Sequence, residues 1–178
     1  WLDEAMEGPI PSTILRNSVV VASGAWVLIK LQPVFSLSPL ASTAMVAVGT
    51  LSAVGGSLIA IAQVDIKRCL SYSVSSYMGL VFIAVGTQHD ESALLLVLTH
   101  ACAAALLVMS TGTIVWNSIT QDITLLGGLW SRRPISGIAY IIGFFGLIAL
   151  PPLGSFWALL QLASELWTTQ PWLVGVII

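Results

Sequence analysis

PLASTAMVAVGTLSAVGGSLIAIAQ, residues 39–63, holds no Asp, Glu, Lys, Arg or His, and neither does PISGIAYIIGFFGLIALPPLGSFWALLQLAS, residues 134–164. A helix needs about 20 predominantly apolar residues to cross the hydrocarbon core of a bilayer, so both stretches reach spanning length. Working outward from them, further apolar runs begin near Pro11, Leu70 and Ser92. The chain has 178 residues, 57% hydrophobic and 8% charged, with mean hydropathy +0.96. A soluble domain carries roughly a quarter charged residues. The runs are too long for the roughly ten-residue alternation of a membrane barrel. The composition therefore predicts an all-α membrane protein.

Prolines and polar clusters divide the chain. Pro9, Pro11 and Ser12 resemble a helix start, with proline tolerated in the first turn and serine available as a cap. The first helix is expected to run to about Leu31 and stop before Pro33. The second covers about Pro39 to Ala62, and Asp65-Ile66-Lys67-Arg68 forms a charged loop. The third covers Leu70 to Gly86, and the fourth Ser92 to Trp116 after the loop His89-Asp90-Glu91. Asn117 to Arg133 is a polar connector, and a fifth helix from Pro134 is broken at Pro151-Pro152 and Gly154 before resuming from Ser155 to Trp167. Pro171 to Ile178 reads as the start of a sixth. The expectation is a bundle of about five transmembrane helices plus the start of a sixth. It forms a single transmembrane region over residues 1–178, a fragment of a longer chain with further helices on both sides. Trp1 is followed by acids rather than a basic n-region, so no secretory leader is expected.

Alternating spans place Lys67, Arg68, Arg132 and Arg133 on one side with the Trp1–Gly8 segment, leaving Lys30 on the other. The positive-inside rule assigns the basic side to the cytoplasm. A net charge of -2 argues against a nucleic-acid partner. Cys69 and Cys102 fall on separate runs and read as small packing residues rather than a disulfide or metal pair. No clustered His/Cys set is present, so no metal site is expected on this chain.

Two ionisable residues lie deep in apolar stretches, Arg16 and His100. Such groups cost at least about 2.5–3.5 kcal/mol to insert and are functional candidates by default. Together they suggest a thinned proton pathway. Each has a plainer reading: Arg16 snorkels to the interface, and His100 bonds a carbonyl. Lys67 and Arg68 read as topology determinants, Asp65 as a helix-end group, and Tyr72 and Tyr77 as packing residues. Glu165 reads as interfacial. Trp116, Trp130, Trp167 and Trp172 suit interface belts. Pro151-Pro152 is harder to dismiss, because an interrupted helix in lipid exposes carbonyls and so lines a cavity.

Several segments carry a resemblance in order along the chain: Trp1-Leu2-Asp3-Glu4-Ala5-Met6-Glu7-Gly8-Pro9 with Pro11-Ser12, then Gln63-Val64-Asp65-Ile66-Lys67-Arg68 with Leu70-Ser71-Tyr72-Ser73 and Ser75, Thr99-His100-Ala101, Gly127-Gly128-Leu129 and Pro151-Pro152. Together they resemble the antiporter-like subunits of the complex I membrane arm, in particular the distal F-type subunit of cyanobacterial and plastid NAD(P)H dehydrogenase-like complexes. The resemblance implies half of an inverted-repeat core whose broken helix lines a half-channel. It also implies neighbouring membrane-arm subunits, including a D-type antiporter-like subunit, and a thylakoid location.

The departures from that pattern are specific. Arg16 stands where the family has a histidine, Leu96 replaces its paired histidine one turn before His100, and Ala104 replaces a lysine one turn after. Leu159-Leu160-Gln161 replaces a Lys-Asp-Glu run. Arginine stays protonated in nearly any site and cannot replace a histidine as carrier, although it can hold bicarbonate or a carboxylate. Leu15-Arg16-Asn17-Ser18, the Trp26–Pro33 segment and Trp130-Ser131-Arg132-Arg133-Pro134 are similar to the F subunits of carbon-concentrating complexes. That likeness implies electron flow from ferredoxin to plastoquinone coupled to conversion of carbon dioxide to bicarbonate. It implies a cytoplasmic Cup-type partner bearing zinc, with iron–sulfur clusters elsewhere in the complex and no cofactor on this chain. On this reading His100 and Arg16 form the proton pathway, with Lys30, Asp65, Lys67 and Tyr72 as supporting polar residues and Pro151, Pro152 and Gly154 as the helix break. An ordinary proton-pumping subunit and a non-conducting scaffold are the alternatives.

Overall fold

The computed structural model describes residues 8–177. The opening motif from Trp1 to Glu7, with its placement beside the basic loops, lies outside the described residues. Among these, regular structure is helical, and four helices are long and apolar enough to cross a membrane: Ile10–Phe35 (α1), Pro39–Ile61 (α2), Ile66–Gly86 (α3) and Asp90–Ser118 (α4). The short Leu129–Arg132 (α5) follows, then Pro134–Leu147 (α6), Gly154–Thr169 (α7) and Pro171–Ile177 (α8). The fifth expected helix is thus two helices, α6 and α7, on either side of a break.

Four boundaries differ from expectation, each for a local reason. Pro9 caps α1 and Ser12 lies inside it, where its hydroxyl accepts from Arg16 instead of capping. The helix continues through Pro33 to Phe35, because a proline in the last turn removes one bond where the ladder is already ending. Asp65 is not in a loop: its carboxylate accepts from the Lys67 and Arg68 amides at 2.8 and 3.1 Å and so starts α3 at Ile66. Asp90 and Glu91 occupy the first turn of α4, where acidic groups complement the helix dipole.

The seam between α2 and α3 organises the first half. A Cβ on Gly79 would sit 2.5 Å from the Ala53 amide and 2.6 Å from the Gly49 carbonyl. One on Gly56 would meet the Ser76 backbone at 2.9 Å, and one on Gly86 would press on Val46. Small residues let the two backbones touch, the usual device for helix association in lipid, where hydrophobicity itself gives no drive. Ser76 adds polar bonds, to the Ala53 carbonyl at 2.8 Å and to the Ser57 hydroxyl at 2.7 Å.

The second seam joins α4 to α6. Gly143 packs on Leu107, and Gly146 on Ala103. Helix α4 therefore lies at the centre, against α1, α3, α6 and α7. At one end, the Ile66 amide bonds the Gln121 carbonyl and the Ile123 amide bonds the Val64 carbonyl, both at 3.0 Å. That clamp gathers Lys67, Arg68, Arg132 and Arg133 at one end of the bundle, as the alternation of spans predicts. Leu40, Leu51, Leu58, Ile61, Trp116, Trp167 and Trp172 face outward, suited to lipid or neighbouring helices.

Replacing Gly79 by Leu forces α2 and α3 apart and is expected to destabilise the bundle by about 1–3 kcal/mol. Gly55 has open space around its Cβ position, so Gly55→Ala leaves stability unchanged or raises it by about 0.5–1 kcal/mol. Thermal unfolding followed by tryptophan fluorescence separates the two variants.

Candidate functional site

The centre of the bundle is a stripe along α4. His89, Ser92, Leu96, His100, Ala104, Leu107 and Thr111 recur at three- and four-residue intervals, so they share one helix face. From Ser92 to Thr111 every member of the stripe is at least 98% buried. The stripe carries polar groups at its two ends and its middle, separated by apolar rungs.

His100 is the middle polar rung, with 1% of its surface exposed. Its ring stacks on Tyr77 of α3, centroids 4.6 Å apart and planes inclined by 26°. Neither imidazole nitrogen meets a protein hydrogen-bond partner, and nor does the Tyr77 hydroxyl. The carbonyl bond expected of a merely structural histidine is therefore absent. The Ser155 and Thr99 hydroxyls lie close to the Tyr77 hydroxyl, and Thr99 itself donates to the Leu95 carbonyl at 2.9 Å. Buried polar groups left unbonded cost about 1–3 kcal/mol each, so His100 and Tyr77 are candidates for a functional position.

Thr99 and Ser155 also line a cleft of about 330 Å³ between α4 and α6 at the helix break, together with Cys102, Ala103, Gly146 and Gly154. The break spans residues 148–153. Ala149 takes a left-handed conformation, φ 59°, and Pro151-Pro152 is cis. The Leu150 amide still reaches the Phe145 carbonyl, and the Leu153 amide the Leu150 carbonyl. Gly154 begins α7, its Cβ position 3.0 Å from the Thr99 methyl. The expected cavity beside the break is present. Cys102 faces this cleft and is exposed, and Cys69 is half-buried; both are free thiols. The expectation that both are buried packing residues fails for Cys102, because the break leaves that face of α4 uncovered.

Arg16 lies elsewhere. It opens a π-helical turn, Arg16–Val20, and its guanidinium donates to the Ser12 hydroxyl at 2.6 Å on its own helix. Widened turns of this kind recur at functional sites. Thr13 and Asn17 of the same segment are buried, and Thr13 shares a crevice with Lys67 and Thr111. Arg16 and His100 thus belong to different parts of the bundle. Lys30 is exposed, its ammonium 4.8 Å over the Trp26 ring. Asp65 is a helix cap, Tyr72 is half-buried, and Lys67 borders a larger cleft of about 690 Å³ at the basic end. That cleft contains neither His100 nor Arg16, and its lining is mostly apolar. Among the described residues no group of three or more His, Cys, Asp or Glu could hold a metal.

Two residues were undervalued in the sequence. Tyr77, read as packing, is the aromatic partner of His100. Its hydroxyl within an otherwise apolar half of α3 was the available signal. Glu165, read as interfacial, accepts from Ser92 at 2.6 Å and from Gln161 at 3.2 Å and lies 3.4 Å from His89.

The bundle thus sets a broken helix near a buried histidine whose ring nitrogens meet no protein partner. The chain belongs to the family described as "NADH:quinone oxidoreductase/Mrp antiporter, TM", which it matches over residues 1–178. It is 53% identical over 177 residues to "NAD(P)H-quinone oxidoreductase subunit 5, organellar chromatophore 2" of Paulinella chromatophora, covering 99% of this chain and 28% of that protein. The chloroplastic subunit 5 of Lolium perenne is 36% identical over 187 residues, covering 99% of this chain and 25% of that protein. The chain therefore spans about a quarter of the length of these curated relatives. Its fold is similar to a chain in the structure of the membrane-bound sulfane sulfur reductase, an archaeal respiratory membrane complex. There the TM-score is 0.86 and identity 24%, over 99% of this chain and 38% of that one.

Tyr77→Phe is expected to preserve stability because the stack is kept and no hydroxyl bond is lost. Tyr77→Ala opens a cavity against His100 and costs about 3 kcal/mol or more. Unfolding midpoints in detergent measure the difference.

Proposed function

We propose that this chain forms the proton-conducting core of an antiporter-like membrane-arm subunit in a NAD(P)H:quinone oxidoreductase of the complex I type. The observation that carries this reading is His100, buried with both ring nitrogens unbonded, near a mainly apolar cleft at a helix break that Thr99 and Ser155 also line. A histidine can take a proton at one nitrogen and release it from the other. Water entering along Ser155 and Thr99 supplies the hydrogen bonds that the protein withholds, and the cleft is large enough for it. Thr111, whose hydroxyl also lacks a partner, continues the stripe towards Thr13 and Lys67. Names of the relatives support the same assembly. Redox centres and quinone then reside on other chains, and this one contributes charge movement.

The finer reading is a subunit of a ferredoxin:plastoquinone complex in a cyanobacterial thylakoid membrane, coupled to conversion of carbon dioxide to bicarbonate. It rests on Arg16 in place of a histidine and on the loss of the flanking carriers at Leu96, Ala104 and Leu159-Leu160-Gln161. Hydration of carbon dioxide releases a proton, and removing that proton makes the reaction one-way. A neighbouring D-type subunit and a zinc-bearing, Cup-type cytoplasmic protein complete this assembly, with the basic end of the bundle facing the cytoplasm. The ordinary pumping subunit is the second reading, favoured by the relatives' names.

His100→Ala in the intact complex is expected to lower proton flux per electron by at least about a hundredfold; wild-type flux would leave a scaffold. For the finer reading, labelled-oxygen exchange between carbon dioxide and water is expected to depend on donor electrons and to fall to background in Arg16→His. Retained exchange in that variant removes Arg16 from the hydration path, and no exchange in the wild-type complex selects the ordinary pump.

A further inference from the structure

At the end of the bundle opposite the basic loops, the α4 stripe terminates in His89 and Ser92, and both meet Glu165 of α7. The Glu165 carboxylate accepts the Ser92 hydroxyl at 2.6 Å on one oxygen and the Gln161 amide at 3.2 Å on the other. His89 Nδ1 lies 3.4 Å from the first of these oxygens. The His89 and Glu165 side chains are 21% and 28% exposed, so the pair stands between core and water. Backbone bonds fix the histidine: its amide donates to the Ala84 carbonyl at 2.9 Å, and its carbonyl accepts from Ala93 at 3.0 Å. His89 Nε2 is buried with no protein partner.

The placement relative to His100 is regular. Ser92 and His100 are eight residues apart on one face of α4, about 12 Å along the axis at the usual rise. Ser155 and Glu165 stand about 15 Å apart along α7. Between the two polar stations lie Leu96, Ala158 and Leu162, each 0% exposed. The stripe therefore reads as a buried proton station, an apolar plug of about two turns, and a partly exposed acid–base pair.

Resting on the reading of His100 as a proton carrier, we propose that Glu165 and His89 form the proton-exchange site between the bundle's interior and the aqueous phase at its non-basic end. A proton reaching the Glu165 carboxylate is taken up at His89 Nδ1 to form the imidazolium, and the same proton then passes from the partly exposed pair to water. The ring and the carboxylate return to their starting charges after each transfer. Ser92 and Gln161 hold the carboxylate in place and are positioning residues. The other titratable groups towards this end are Asp90 and Glu91 in the first turn of α4 and Lys30 of α1, exposed with its ammonium over the Trp26 ring. The α3 end contributes Thr87 and Gln88, and neither α4 nor α7 brings a lysine or arginine to this end.

The test uses the full subunit in its assembled complex, reconstituted in vesicles with a pH-sensitive dye inside, and reads protons moved per electron transferred. E165Q and H89N are each expected to lower that ratio about tenfold, with no further loss in the double variant, as for residues acting in series. E165D is expected to restore most of the flux. Should E165Q fail to assemble, S92A removes one donor from the carboxylate while keeping its charge, and a severalfold loss is expected. Wild-type flux in E165Q, or in S92A where that variant replaces it, overturns the site. So do losses that add in the double variant with no rescue by E165D, since they report packing alone. If H100A abolishes flux while E165Q does not, the exchange site falls and the His100 reading stands; if both conduct as wild type, both fall.

Discussion

A polar atom inside hydrocarbon has to be bonded, hydrated or tolerated at a cost, and the organisation of this bundle follows from where that cost is left standing. Most polar side chains in the spans settle it locally: Ser18, Thr50, Ser57 and Ser110 each donate back to a carbonyl four residues earlier. His100, Tyr77 and Thr111 do not. They face the centre, where α4 is enclosed by its neighbours, and His100 and Tyr77 adjoin the place where the α6–α7 break opens a cleft. The glycine seams make this possible. Backbones that touch at Gly49, Gly79, Gly143 and Gly146 leave α4 enclosed on the stripe side, while the break keeps one approach unsealed.

The long spans were legible in the sequence because composition alone determines them: a run such as residues 39–63 has no soluble alternative. The break was legible for a similar reason, since two adjacent prolines and a glycine cannot continue a helix. Boundaries at Ser12, Pro33 and Asp65 were less so. Each depends on whether a side chain bonds the backbone nearby, and serine, proline and aspartate have more than one acceptable place near a helix end.

The site was only partly legible. His100 stood out because it is a lone ionisable group in an apolar run. Tyr77 did not, since its importance comes from the packing of α3 on α4, which no local pattern announces. Glu165 near a helix end was legible as an interfacial carboxylate, but its partners Ser92 and His89 were not, since they lie more than seventy residues away in sequence. Arg16 lies on α1, as its place in the first apolar run implied, and its bond to Ser12 was not visible in the sequence. The glycines of the two seams were visible as residues, whereas their pairing across helices was not.

Proton exchange at His100 depends on water reaching the Tyr77–His100 pair through the break. Cysteine accessibility along α7 reads this directly, in the assembled complex and on a Cys69→Ala, Cys102→Ala background, with a small membrane-impermeant thiol reagent applied during turnover. Ser155→Cys is predicted to react rapidly, and Ala158→Cys and Leu162→Cys, within the apolar plug, to stay unmodified. A Ser155→Cys variant as inert as those two would mean that the break is sealed, and His100 would lose its route to water.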